Sequence, residues 1–585
     1  MLASPNNRRS SVHSNQGAGV HGSAFPCTAD SVPVRTRRSK SLQAFGLICF
    51  CLCMVLVSSA TDVVTYHNNI ARTGQNLQET ILTTSSVNSS SFGKLFSSSV
   101  DGIIDAEPLY LSSVSIPGKG MHNVIYAVTE NDSVYAFDAD AGTLLWQVSA
   151  LKSGESPSDD HGCSQISPQI GITSTPVIDR ARGPHGTIFV VAMSKNSSST
   201  YFQRIHALDI TNGAEEFGGP VTIQAKYPGT GDNSHDGYVV FDPGQYAERQ
   251  GLLLLNHVIY TAWTSHCDAR PYTGWLIGYS ESTLARTSVL DVTPNGNEGA
   301  IWQDGAGIAS DGRNLFFLDA NGTFDTTLTK KGFPHKGDYG NAFLKVSAKN
   351  HKLRVADYFN MYNTVQESDD DEDLGSGGAV VLPAMKDANG KLRHLAIGAG
   401  KDQNIYIVNR DNMGKFNPNN DNAIYQEIDG VLGGGEWATS AYFNGNIYYG
   451  PVGNNLLQFQ FSNAKLSTSP QSKSAASFTY PGTTPSVSAN GSRNGIVWAI
   501  EHTDPTDVLH AFDATNLANE LYNSNQAGQR DQFGSASHFG TPLIVNGKVY
   551  VGTTNGVTAF GLLGDKLSQS ATVGQRAEGK SVRRF

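Results

Sequence analysis

A strand–turn–strand unit that recurs down the chain limits the fold more than any other feature of this sequence. Its clearest copy is Ser133-Val-Tyr-Ala-Phe-Asp-Ala-Asp-Ala-Gly-Thr-Leu-Leu-Trp146. Val134 and Ala136, then Leu144 and Trp146, fall at the period-two spacing of strands. Asp138 to Gly142 is turn chemistry, because Asp accepts backbone N–H bonds and Gly takes the positive φ that closes a hairpin. Degenerate copies occupy residues 107–146, 175–213, 251–279, 315–346, 379–410, 440–461, 484–513 and 540–560. The third and fourth are the poorest matches.

The copies recur roughly every 50 to 70 residues, the size of a four-stranded propeller blade. The last copy lacks a fourth strand before the chain turns polar. Phe92 to Val100 reads as a strand with no hairpin partner nearby, and it can complete that sheet. Such closure removes the exposed edges of an open array. The expected fold is therefore all-β: an eight-bladed β-propeller of four-stranded antiparallel blades, its ring closed by an N-terminal strand. Its 61 glycines and 22 tyrosines suit many short strands joined by turns. At 585 residues the chain fits one large repeat array.

The N-terminus reads as an address. Arg35, Arg37, Arg38 and Lys40 precede an apolar run from Leu42 to Val57, and Ser58-Ser59-Ala60 offers small residues for cleavage. The hydrophobic stretch Leu47–Val57 is short for a membrane span. A secretory signal is expected, with an uncleaved anchor as the alternative, and a secreted or periplasmic protein without a stable membrane span after cleavage. The expected organisation is a leader and signal over 1–60, an irregular polar segment over 61–91, the propeller over 92–563 and a disordered tail over 564–585. The net charge of −10 argues against a nucleic-acid partner, which requires a basic stripe.

Cys27, Cys49, Cys51 and Cys53 fall in the leader or signal, which leaves Cys163 and Cys267 in the mature chain. In an oxidising compartment these two are expected to pair. The alternative is a zinc site built from Asp160-His161-Gly162-Cys163 and His266-Cys267-Asp268, although neither segment has standard zinc spacing.

Tyr135-Ala-Phe-Asp-Ala-Asp-Ala-Gly-Thr-Leu-Leu-Trp146 resembles the repeat of pyrroloquinoline quinone (PQQ) propellers, a resemblance that extends over roughly residues 92–563. That fold includes quinoprotein alcohol dehydrogenases and non-catalytic propellers, so fold alone does not decide function. In the dehydrogenases PQQ lies on the axis with a calcium ion, and an Asp base takes the alcohol proton.

The resemblance implies four site residues. Trp302, in Gly299-Ala-Ile-Trp-Gln-Asp-Gly-Ala-Gly307, matches the stacking floor under the cofactor. Asn321, in Ala320-Asn-Gly322, matches a calcium ligand. Asp373, closing the acidic run Asp369-Asp-Asp-Glu-Asp373, matches the catalytic base and a second metal contact. Lys401, in Gly398-Ala-Gly-Lys401, matches the cation that stabilises the reduced quinone.

The sequence also departs from that pattern. The adjacent Cys-Cys that caps PQQ is missing, with only Cys163 in that region. The acidic calcium ligand of the second blade falls near Ser198. Gly375 stands where a lanthanide-using subclass has an additional Asp, and no Cys-x-x-Cys-His is present for covalent haem. Two readings follow: a dehydrogenase that oxidises a small alcohol or sugar with PQQ and calcium, or a non-catalytic propeller that binds a protein or polysaccharide surface.

Overall fold

The computed structural model describes residues 61–564. The signal-like run, the four cysteines before residue 61 and the tail from residue 565 lie outside the described residues. Among the described residues the architecture is a β-propeller of four-stranded antiparallel sheets, and no helix is long and apolar enough to cross a membrane.

The first sheet is built by Leu109–Ile116, Gly120–Val128, Ser133–Asp138 and Leu144–Ser149. Its last hairpin closes as the turn residues dictate. The Asp138 carboxylate accepts the N–H groups of Asp140 (2.8 Å) and Ala141 (2.7 Å), and Gly142 sits at φ +72°. The second sheet repeats this chemistry: Asp209 accepts the Thr211 N–H at 2.7 Å, and Gly213 again has φ +72°. Trp146 leans across to the second sheet and donates its indole N–H to the Ile210 carbonyl at 3.0 Å.

Further sheets with a four-stranded antiparallel body begin at Val177, Leu253, Ala309, Val380, Ala441, Ser486 and Leu543; Glu155–Asp159 and Gln169–Ile170 extend the first of these, Lys465–Leu466 the fifth, and Gln75–Asn76, running parallel, the sixth. The weakly patterned third and fourth copies form complete sheets, Leu253–Asp291 and Ala309–Phe359. The sheet that starts at Leu543 takes its fourth strand from Phe92–Ser99, which pairs antiparallel with Gly556–Leu562.

Hydrophobic cores lie between neighbouring sheets. Val134 and Ala136 of the first pack with Ile188 and Val190 of the second. The series continues sheet by sheet to Ile496 and Trp498 packed with Val549 and Phe560. A further core joins Leu543 and Tyr550 of the last sheet to Tyr110 and Ile125 of the first. Each fully buried large aliphatic or aromatic side chain in these seams contributes about 1.5–3 kcal/mol.

The segment read from sequence as irregular has a defined place. Between Val63 and Asn76 it hydrogen-bonds to the opening strand, or the residue just before it, of every one of these sheets. Val63 exchanges two bonds with Tyr110, and Val64 accepts from Ile178 N–H. Arg72 donates to the Leu252 carbonyl. Ile70, Ala71, Thr73 and Gly74 accept from the N–H groups of Ser310, Val381, Tyr442 and Val487. The Asn76 amide donates to the Ile544 carbonyl. One short stretch can reach all of these strands only if they surround it, so it plugs the axis. Arg72 is fully buried there, and its guanidinium also donates to Ile308 O (2.9 Å), Tyr66 O (2.8 Å) and Thr65 Oγ1 (2.7 Å).

Candidate functional site

Trp302, Asn321, Asp373 and Lys401 come from four different inter-strand regions and line one cavity of about 440 Å³. Trp302 precedes the fourth sheet, in a tight turn where Gln303 and Asp304 both take positive φ (40° and 57°). Asn321 follows the strand Asn314–Leu318, and its carbonyl accepts the Gly299 N–H at 2.8 Å, which anchors it to the segment carrying Trp302. Asp373 precedes the fifth sheet. Lys401 follows the strand Leu395–Ala399 of that sheet, and its backbone N–H donates to the Asp373 carbonyl at 3.1 Å.

Glycines make these approaches possible. A Cβ on Gly400 would stand 2.5 Å from the Leu374 Cα, so the loops bearing Asp373 and Lys401 touch backbone to backbone. A Cβ on Gly375 would stand 2.4 Å from the Ala320 backbone nitrogen. No side chain fits at residue 375 without moving the neighbouring loop.

Both Asp373 oxygens are engaged. Trp302 donates its indole N–H to Oδ2 at 3.1 Å. The Lys401 ammonium lies 2.5 Å from Oδ1 and 2.6 Å from an oxygen of Asp371. Burial pushes the Asp373 carboxyl up to about 6, although Lys401 pulls the other way. Burial also disfavours the Lys401 ammonium, but Asp373 and Asp371 more than offset this and hold its pKa above the usual lysine value. The Asn321 side chain makes no hydrogen bond to another described residue.

The cysteines form a disulfide, with Cα atoms 5.6 Å apart and 104 residues between them in sequence. It lines the same cavity. With the sulfurs bonded to each other neither is a thiolate ligand, which removes the zinc alternative. The His161 and His266 rings beside it stack at 4.2 Å. Burial lowers the His266 pKa to about 4, so this ring is neutral at ordinary pH. Ser198 does not join the cavity. It lies exposed in the turn between Thr187–Asn196 and Tyr201–Asp209.

The sequence reading missed Arg249, Trp437 and Tyr480, which also line the cavity. Arg249 is buried, donates to Asp304 at 3.2 Å and lies 3.5 Å over the Phe539 ring. Asp304 is itself fully buried, and burial pushes its carboxyl well above the usual range despite Arg249. Trp437 and Tyr480 meet edge to face at 5.8 Å. Trp437 carried a readable signal, since it precedes the sixth sheet much as Trp302 precedes the fourth. Arg249 carried none.

The cavity thus combines indole and phenol faces, a buried carboxylate held by an ammonium, and a free amide. Such a site suits a flat, polar small molecule and holds a proton acceptor at Asp373.

No protein-family profile matches the sequence, and no curated protein matches it. Solved structures do. The quinohemoprotein alcohol dehydrogenase from Comamonas testosteroni is 13% identical, with a TM-score of 0.55 over 86% of this chain and 81% of that one. A quinohemoprotein alcohol dehydrogenase from Pseudomonas putida HK5 is 11% identical, with a TM-score of 0.56 over 86% and 80%. A europium-containing methanol dehydrogenase is 12% identical, with a TM-score of 0.54 over 86% and 98%. At these identities the likeness is one of fold.

Proposed function

We propose that the chain is an exported, eight-bladed closed propeller that binds a planar quinone of the PQQ type and oxidises a small alcohol or sugar. The observation that carries this reading is the meeting of Trp302, Asp373 and Lys401 in one cavity, joined by contacts of 3.1 and 2.5 Å. The names of the structural neighbours, alcohol and methanol dehydrogenases, agree with it.

The quinone fits the residues present. Trp302 offers an indole face, and Lys401 with Arg249 offers positive charge for an anionic ring system. When bound, PQQ supplies the two-electron acceptor. Asp373 accepts the substrate's hydroxyl proton, and Trp302 fixes the orientation of that carboxylate. Lys401 steadies negative charge that develops nearby.

Calcium fits this cavity poorly. It takes six to eight oxygen ligands, and the matching positions supply only the Asn321 amide and Asp373. Both Asp373 oxygens are already held by Trp302 and Lys401, and the second-blade acid is replaced by Ser198. Lys401 provides the positive charge instead, and no step is assigned to calcium here.

The test is direct. Purified mature protein is titrated with PQQ, with and without calcium, while absorbance and dye-linked oxidation of alcohols and sugars are followed. Saturable binding at micromolar PQQ with turnover supports the proposal, and its absence overturns it. The clamped state of Asp373 favours a second reading, a propeller that binds a small molecule, protein or polysaccharide without catalysis. Saturable binding of a ligand with no turnover would favour that reading.

A further inference from the structure

The acidic run that carries Asp373 borders a second cavity. Asp371 and Asp373 line the first, whereas Asp370 and Glu372 line the second, so the run is a shared wall. The second cavity, about 290 Å³, is lined by four acids, Glu367, Asp370, Glu372 and Asp402, and by four amide side chains that include Asn363 and Asn404. Among the described residues no Lys or Arg lines it.

A group of acids alone would be an ordinary solvated patch. Here Glu367 is only 8% exposed. Its Oε1 accepts from the Asn363 amide at 2.9 Å, but its Oε2 is buried with no hydrogen-bond partner among the described residues. Leaving a buried carboxylate oxygen unpaired is costly. Two conditions relieve that cost: a proton on the oxygen, or a cation bound to it. Asp402 is set for a cation. Its carboxylate is held in place by the Tyr406 hydroxyl and by the Asn404 amide at 3.0 Å. Burial raises the Glu367 carboxyl to about 8, with Asp402 adding to the effect, and burial raises Asp402 to about 6.

We propose that this second cavity is a calcium site, with Glu367 and Asp402 as its fixed ligands and Asp370 and Glu372 closing on the ion. All its donors are carboxylate and amide oxygens, the set that calcium prefers. Among the described residues no three acidic, His or Cys side chains already stand together as a metal site. Binding therefore draws in Asp370 and Glu372, both exposed, and the affinity falls in the range of extracellular calcium modules, about 10⁻⁴–10⁻³ M. This site is independent of whether the first cavity holds a quinone.

The experiment uses calcium-free mature protein without any quinone. Calcium is followed by calorimetry and by the thermal midpoint, and terbium by luminescence sensitised through Tyr406. Saturable binding with a rise in midpoint is expected. Glu367→Gln and Asp402→Asn should weaken binding at least tenfold, and Asn321→Ala should leave it unchanged. Glu367→Gln keeps its size and cannot ionise, so above about pH 8, where the parent carboxyl would carry an uncompensated charge, it should melt above the parent in chelator and remain informative if Asp402→Asn fails to fold. No calcium binding by the parent, or equal binding by Glu367→Gln, overturns the proposal. Loss of binding in Asn321→Ala alone places the ion in the first cavity and also overturns it.

Discussion

Trp302 donates its indole N–H to Asp373 Oδ2 across 3.1 Å, although 71 residues separate the two and they precede different sheets. The bond turns the other oxygen, Oδ1, toward Lys401. A carboxylate fixed in this way, with its basicity raised by burial, is the reactive feature of the cavity.

Asp373 titrates at about 6 in the folded protein. If it accepts the substrate proton, kcat/KM of the PQQ-loaded protein should rise as pH passes through about 6, and Asp373→Asn should abolish turnover while sparing PQQ affinity. Stability should change in the opposite direction. A carboxyl raised above its unfolded value near 3.9 contributes stability that is fully present below that value and is lost as pH rises through about 6. The loss is on the order of 3 kcal/mol, and Asp373→Asn should remove it. Thermal melts from pH 4 to 7 measure it.

Lys401→Met removes the cation that holds the Asp373 carboxyl down. The acidic limb of the pH–rate profile should then move to higher pH by about one unit or more. Lys401→Arg should keep the limb near its parental position. A profile unaltered by Lys401→Met would show that the ion pair does not tune Asp373.

The Cys163–Cys267 disulfide joins residues 104 apart and borders the cavity. Loop-closure entropy for a ring of that size stabilises the fold by about 4–5 kcal/mol. Cys163→Ser with Cys267→Ser should lower the melting midpoint by several degrees and weaken ligand binding in the cavity. Reduction of the parent should reproduce both effects, as read by calorimetry and ligand titration.

The axial plug depends on Arg72. Its removal leaves buried carbonyls at Tyr66, Leu252 and Ile308 without a donor, at about 1–3 kcal/mol each. Arg72→Ala should therefore cost at least about 3 kcal/mol in urea unfolding. A Cβ on Gly307 would lie 2.5 Å from the Arg72 guanidinium, so Gly307→Ala should also destabilise. The double variant should lose less than the sum, because the clash needs the arginine.

The sheets were legible because they are local. Period-two strands and Asp–Gly turns such as Asp138–Gly142 are written within a few residues of each other. The start of a sheet was the hardest part to read, because opening strands such as Leu253–Leu255, Ala309–Ser310 and Val380–Val381 are short, and three or two residues hold little pattern. Trp302, Asn321, Asp373 and Lys401 could be singled out because each stands in a short segment that resembles one of the PQQ-propeller family, and they line one cavity. Arg249 and Tyr480 were not, since they reach the cavity only through the arrangement of several sheets. The plug was missed for a different reason. Most of its bonds run through backbone groups, which leave no trace in side-chain pattern.

The plug and the strand Phe92–Ser99 also order events in time. Val63–Asn76 and Phe92–Ser99 leave the ribosome before any complete sheet, yet some of their partners, Ile544 and Gly556–Leu562, are made more than 450 residues later. Contacts that distant in sequence form slowly. The early sheets must therefore wait with an unfilled hub and an open seam until synthesis is nearly complete, and the final step of assembly returns to segments made long before. A nascent chain cut short before the last sheet should hold its early sheets in a protease-sensitive form, however well each is patterned.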